Sequence, residues 1–429
     1  MKKVLIICYY WPPAGGPGVQ RWLKFVTYLN KFGIEPTVYI PENPNYPIID
    51  EDLVNEVPKD ITVLKFPIKE PYSAAKFISK KKTKTISKGI IDAKNKSIIN
   101  SLLLFVRGNF FIPDARVAWV KPSVTYLENY LKDNPQDAII TTGPPHSLHL
   151  IGQKLQKTIG VKWIADFRDP WTTIHYHKSL QLLKISANKH KRLEREVLNS
   201  ADHIIVTSPT TKREFKQITT KPISVITNGF EPDNIKQQIL SSKFTLAHIG
   251  SLLTERNPIN LWRVLAEMCQ EDKCFATDLQ LIFAGAISEE VVNSIKEYGL
   301  STRAVYKGYV SHTEAKIFQR TSQVLLLLEI DSPETKAIIP GKLFEYLQAN
   351  RPIVALGPKG SDINNILKTT NTGVFISSNE EENIKAIITK HYKAYKADNL
   401  VLNNTNISAY TRETLTENLA KLINDVTLK

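Results

Sequence analysis

Continuous apolar runs alternate with amphipathic stretches along almost all of this 429-residue chain, and the alternation starts afresh once, after Asn228-Gly229-Phe230-Glu231-Pro232. An apolar run needs cover on both of its faces, and a parallel sheet flanked by helices supplies it. In the first half the runs are Lys3 to Tyr10, Val38 to Ile40, DAIITT (137–142), VKWIADF (161–167) and HIIVTS (203–208). In the second they are FTLAHIG (244–250), LQLIFAG (279–285), AVYKGYV (304–310), VLLLLEI (324–330), PIVALG (352–357) and GVFIS (373–377). Helix starts fall between them: Ser311 with Glu314 and Ser378 with Glu381 both match the capping box, in which hydroxyl and carboxylate satisfy exposed helix amides reciprocally. The pattern predicts an α/β chain of two doubly wound domains, 1–232 and 233–400. In the remaining 401–429, TRETLTENLAKLINDV carries the period of one amphipathic helix, expected to pack back onto the body.

Charge narrows the class of partner. The chain carries 56 Lys and Arg against 42 Asp and Glu, a net +14, which suits nucleic acid, a membrane surface or an acidic substrate. The excess is local: from Lys76 to Arg107 nine basic residues face one acid, Asp92, giving +8 within an insertion of the first domain at about 73–112. Ile78, Ile86, Ile90, Ile91 and Ile98 interleave with these lysines, so the stretch reads either as a basic amphipathic segment for an anionic membrane or as a solvated lysine face. Aromatic platforms and groove-reading motifs are missing from it, so nucleic acid is not expected as a partner. The three cysteines, Cys8, Cys269 and Cys274, form no CxxC pair, which argues against a disulfide framework or zinc site and for a cytoplasmic location. The opening MKKVLIICYYWPP imitates a signal peptide, but Pro12-Pro13 follows where a cleavage site would stand, and it reads as a buried first strand. The longest other apolar stretch, Ile98 to Val106, is far below the roughly 20 residues that span a bilayer.

Two loops have the chemistry to hold an anion. Gly15-Gly16-Pro17-Gly18 joins the first strand to its helix, where Gly16 and Gly18 allow backbone amides to approach a phosphate; a purely structural tight turn is the alternative. In Ile339-Pro340-Gly341-Lys342-Leu343-Phe344-Glu345, Pro340 suits a first helical turn, Gly341 permits close approach and Lys342 sets a cation at the helix start. Glu345 lies one turn on, so the stretch reads as a diphosphate cradle with a carboxylate for hydroxyl groups. His146, after Gly143-Pro144-Pro145, and Asp169, in Phe167-Arg168-Asp169-Pro170, end successive strands and are candidate site residues; an Asx turn is the alternative for Asp169. Asp50-Glu51-Asp52 spells an acidic metal-binding triplet but sits where a helix cap is expected, and His175 and His177 lack a third ligand, so no metal is assigned.

Taken in order, YYWPPAGGPGVQRW, TTGPPHSLHLIG, IADFRDPW, VITNGFEPDN, HIGSLLTERNP and IPGKLFEYLQANRPIVAL resemble family 4 glycosyltransferases of the GT-B fold over nearly the whole chain, most closely a branch of bacterial cell-surface polysaccharide enzymes. The resemblance implies two Rossmann-like domains facing a central cleft, with acceptor on the N-terminal side and nucleotide-sugar on the C-terminal side. It also implies sugar transfer with retention of configuration, no cofactor and no essential metal. The acceptor would be a saccharide or lipid-linked hydroxyl, the location cytoplasmic and peripheral on the inner face of the membrane through residues 76–107. By the same resemblance His146 lies in the acceptor-side cleft, Glu345 near the donor ribose, and Gly250, Ser251, Arg256, Gly341, Lys342 and Leu343 around the diphosphate, while Tyr309 and Val310 follow the strand end that cradles the base. The family's earlier glutamate is replaced by Ala337; Glu334, Glu329 or backbone amides are the candidates to take its place. A nucleotide-sugar epimerase of the same architecture and a basic nucleic-acid-binding protein are the rival readings.

Overall fold

The computed structural model describes residues 1–70, 98–174, 177, 180–233, 235 and 238–428. The chain divides into two units, residues 1–228 with 412–429 and residues 229–411. The turn-rich stretch thus marks the crossing at Asn228, and the second unit runs on past residue 400 to Thr411.

The first unit holds seven parallel strands: β1 (Lys2–Ile7), β2 (Ile34–Pro41), β3 (Thr62–Phe66), β4 (Ala138–Gly143), β5 (Lys162–Phe167), β6 (His203–Val206) and β7 (Ile223–Val225). Their order is β3-β2-β1-β4-β5-β6-β7, so the sheet reverses direction of growth between β1 and β4. The alternation of β1 explains why its run is apolar throughout. Val4, Ile6 and Cys8 enter the core on one face, Leu5, Ile7 and Tyr9 the core on the other, and all are buried. Strands β3 and β7 were not read from the sequence: β3 is a half-buried edge and β7 is three residues long. The helix Arg412–Leu428 belongs to this unit. Leu415, Leu419, Leu422, Ile423 and Val426 fall at helical spacing and share a core with Trp22, Val26 and Leu29 of the helix Pro17–Leu29.

The second unit holds β8 (Phe244–Ile249), β9 (Leu279–Ala284), β10 (Ala304–Gly308), β11 (Val324–Leu328), β12 (Ile353–Gly357) and β13 (Gly373–Ser377), all parallel, in the order β10-β9-β8-β11-β12-β13. Growth reverses between β8 and β11, the position where ligands bind in open α/β sheets. Ser311 and Glu314 form the expected capping box of the helix His312–Thr321. Ser378 does not: the last strand-to-helix turn is longer, Glu380 is the N-cap of Glu381–Lys396, and Glu381 instead pairs with Arg263. Pro340 likewise stands at the N-cap of the helix Gly341–Gln348 rather than inside its first turn. No helix among the described residues is long and apolar enough to cross a membrane. The basic residues Lys76 to Lys96 lie outside the described residues; of that insertion the helix Ile98–Phe110 is seen, with Leu102 and Phe110 exposed.

Candidate functional site

In the second unit the charged groups gather where β8 and β11 end. Gly250 leaves β8 with φ +116°, which favours glycine, and a Cβ there would lie 3.0 Å from Lys342 Nζ and displace the lysine above it. The helix carrying Lys342 is fixed to β8 by Tyr346, whose hydroxyl accepts from the Ile249 N–H at 2.8 Å. Glu329 follows β11 and is buried, with Arg256 Nη2 3.7 Å from its Oε2. Burial pushes the Glu329 carboxyl up while Arg256 and Lys342 pull it down. Lys342 is brought down to about 8 by burial, against the pull of Glu329. Two cations and one acid therefore share a poorly solvated spot at the sheet's switch point.

Other predicted positions fall around this cluster. Glu345 is half-buried on the lysine's own helix, and its Oε2 accepts from Gln319 Nε2 at 3.0 Å. Ser251 is exposed just past Gly250. Gly341 opens the helix. The Leu343 side chain is fully buried in the core and its N–H donates to the Pro340 carbonyl at 3.0 Å, so its side chain is not brought to the cluster. Tyr309, beyond β10, is 97 % exposed, while Val310 packs partly against the core. A pocket of about 290 Å³ opens beside the cluster, lined by Arg256, Asn257, Glu329, Asp331, Ser378 and Asn379 among others. Glu334, the other candidate to replace Ala337, accepts from the Ser332 hydroxyl in the same loop. Glu329 is the acid that pairs with Arg256 and pulls on Lys342; its signal in the sequence was a carboxylate at the end of an otherwise apolar strand. His248, on β8 and buried beneath Lys342 Nζ, was read only as part of the run FTLAHIG.

In the first unit the carboxyl ends of β1, β4 and β5 surround a second set of polar groups. Gly16 holds φ +110° as N-cap of its helix. A Cβ on Gly18 would overlap Arg168 Nη1, so Gly18 makes room for a guanidinium against the first helical turn. Arg168 also donates to the Pro144 carbonyl. Asp169 follows it, half-buried. Asp166, wholly buried, accepts from Arg21 Nη2 at 3.0 Å, Trp22 Nε1 at 2.9 Å and the Thr142 hydroxyl at 2.9 Å, and so ties the glycine-loop helix to β4 and β5. His146 is the N-cap of Ser147–Ile159, stacked on Trp171 at 5.0 Å, and neither ring nitrogen has a hydrogen-bond partner. Burial, then His149 and Arg168, hold it neutral well below the usual imidazole range. It can therefore accept or donate one hydrogen bond as a neutral ring.

Of the acidic triplet, Asp50 precedes a short 3₁₀ turn, Glu51–Glu56, and its N–H donates to Pro13; Glu51 and Asp52 are exposed. His175 lies outside the described residues, and His177 packs edge-on against His190. No three His, Cys, Asp or Glu side chains among the described residues are grouped to hold a metal ion.

Residues 94–234 match the family model for Glycosyltransferase Family 4, and residues 230–406 match that for Glycosyl transferases group 1. The structure is similar to TarM (13 % identity, TM-score 0.59, 99 % of each chain). It is also similar to WaaG, a glycosyltransferase involved in lipopolysaccharide biosynthesis (13 %, 0.55, 98 % of this chain and 99 % of that one), and to sucrose-phosphate synthase from Thermosynechococcus elongatus (12 %, 0.58, 100 % and 97 %). At such identities the likeness is one of fold. No curated protein matches the chain in sequence.

Proposed function

Because the chain is a glycosyltransferase of the GT-B fold, we propose that it moves a sugar, with retention of configuration, from a nucleotide-sugar to a saccharide or lipid-linked hydroxyl in cell-surface polysaccharide synthesis. The observation that carries this reading is the cluster of Lys342, Arg256 and Glu329 at the β8/β11 switch point. Breaking a sugar–phosphate bond develops negative charge on the departing diphosphate, and fixed cations at a helix start stabilise that charge without reorganising. Lys342 and Arg256 would take the diphosphate, with Gly250, Ser251 and Gly341 giving backbone access, and no metal is needed for that task. Glu345 would meet donor hydroxyls. Glu329 would stand in for the acid absent at Ala337, keeping both cations charged and in place. His146, neutral and without a side-chain partner, would hydrogen-bond the transferred sugar or the acceptor, and Asp169, after the end of the next strand, would be the second acceptor-side group.

Transfer assays with UDP-, GDP- and ADP-sugars on lipid-linked and free saccharide acceptors test the reading. Lys342→Ala, Arg256→Ala and Glu345→Ala should each lower transfer at least tenfold, about 1.4 kcal/mol of transition-state stabilisation. Full activity in all three would remove the site assignment. An anomeric product opposite to that of the donor would remove retention.

A further inference from the structure

His248 is an unusual residue to find in the middle of a donor-side strand end. It is 1 % exposed, lies on β8 between apolar neighbours, and its two ring nitrogens face three different groups. Nδ1 is 3.1 Å from the Leu326 carbonyl on β11. Nε2 is 3.2 Å from Lys342 Nζ and 3.4 Å from the Ser251 carbonyl. A carbonyl oxygen can only accept, so the shorter contact puts the ring proton on Nδ1. Nε2 is then a bare lone pair, and among the described residues the donor facing it is the Lys342 ammonium. Satisfying both carbonyls at once would need the imidazolium, and that cation would sit against Lys342 and near Arg256 in a buried place; burial and both neighbours oppose it.

We propose that His248 is a positioning residue for Lys342: its Nε2 lone pair accepts one N–H of the ammonium and fixes the cation over Gly250, leaving the other two N–H groups for the donor diphosphate. This rests on the reading that Lys342 meets that diphosphate. The geometry also bears on the glycine, because a Cβ at position 250 would crowd the ammonium where it meets the histidine. It also gives the histidine a consequence for pH. The groups facing Nζ are His248 from β8, Glu329 after β11, Arg256 from the turn Thr254–Arg256 and Glu345 from the lysine's own helix. Burial has brought the lysine down to about 8, so a diphosphate binding above that pH must take up a proton. An acceptor at Nε2 favours the charged lysine and moves that limit upward; its removal moves the limit toward lower pH.

The test is titration calorimetry of the full chain with UDP, GDP and ADP from pH 6 to 9. Whichever diphosphate binds, its affinity should hold at low pH and fall as pH rises through about 8. His248→Leu, which keeps the bulk and loses the acceptor, should bind at least tenfold more weakly at pH 7 and lose affinity at a lower pH than the parent. His248→Gln, whose side-chain oxygen can accept from the ammonium, should recover most of that loss. If His248→Leu keeps the parent's affinity and alkaline limb while Lys342→Met loses binding, the role of His248 is overturned and the lysine's stands. If Lys342→Met binds every diphosphate as the parent does, the underlying site reading fails first. Nitrogen NMR of the labelled ring in the unsubstituted protein needs no variant to fold: a proton on Nδ1 with Nε2 bare is expected, and a proton on Nε2 overturns the proposal.

Discussion

At the scale of single residues the cluster around Lys342 depends on a position where a side chain is strained. Gly250→Ala would place a Cβ 3.0 Å from Lys342 Nζ on a backbone at φ +116°, a conformation that costs an L-residue about 1–2 kcal/mol. Diphosphate affinity should fall at least tenfold in calorimetry, with a smaller loss in thermal stability; unchanged affinity would count against the lysine's placement. The buried imidazoles of the first unit make a second prediction. An unfolded histidine titrates near 6.5, whereas folded His149 takes its proton only at about 3, and burial is the main cause for it and for His146. Between those values the unfolded chain binds the proton and the native chain does not, so stability is present above pH 6.5 and is lost as pH falls below it. His149 contributes about 1.4 kcal/mol per pH unit in that window, so lowering the pH from 6.5 to 5 should cost about 2 kcal/mol through this ring, and His146 acts in the same direction. Urea unfolding followed by tryptophan fluorescence measures this, and an unmoved midpoint would show that the rings gain protons without unfolding.

At the scale of elements, the period-two burial of β1 and the period-3.6 burial of Arg412–Leu428 were both legible, because each repeats a simple geometric interval. The partner of that last helix was not legible. Leu419 and Ile423 are wholly buried in the core they share with Pro17–Leu29, so Leu419→Ala and Ile423→Ala should each cost about 2–4 kcal/mol in chemical denaturation. Edge elements escaped the sequence for the opposite reason: β3 is half-buried and β7 too short to show a period. The Ser378-to-Glu381 spacing fits a capping box as well as Ser311 to Glu314 does, yet Glu381 finds Arg263, a residue 118 positions away. A local motif loses when a distant charge offers a better partner.

At the scale of the molecule, the chain leaves its first unit after Asn228 and re-enters it at Arg412. Residues 229–411 contain both cores that flank their sheet, so that segment alone should unfold cooperatively with native far-ultraviolet dichroism. Residues 1–228 alone should aggregate, because the apolar face that Arg412–Leu428 covers is left open. Adding a 412–429 peptide should restore a folded state; a soluble, cooperative 1–228 fragment would contradict this. The surplus charge of +14 is also a molecular property with a local source, and under the proposed function anionic vesicles should retain the protein in sedimentation. Replacing Lys80, Lys81, Lys82 and Lys84 by Gln should weaken that retention, and retention indifferent to these lysines would reject docking through that stretch. By itself the sequence determined the two doubly wound units and the place of the Gly-Lys helix start, because strand and helix periods and helix-start residues are local patterns. Only the tertiary structure decided that Glu329 pairs with Arg256, that His248 meets Lys342, that Gly18 makes room for Arg168 and that the last helix closes the first core. Those pairings join residues far apart in the chain, and it is burial, which no local pattern reports, that brings Lys342 down to about 8 and leaves His146 a neutral ring.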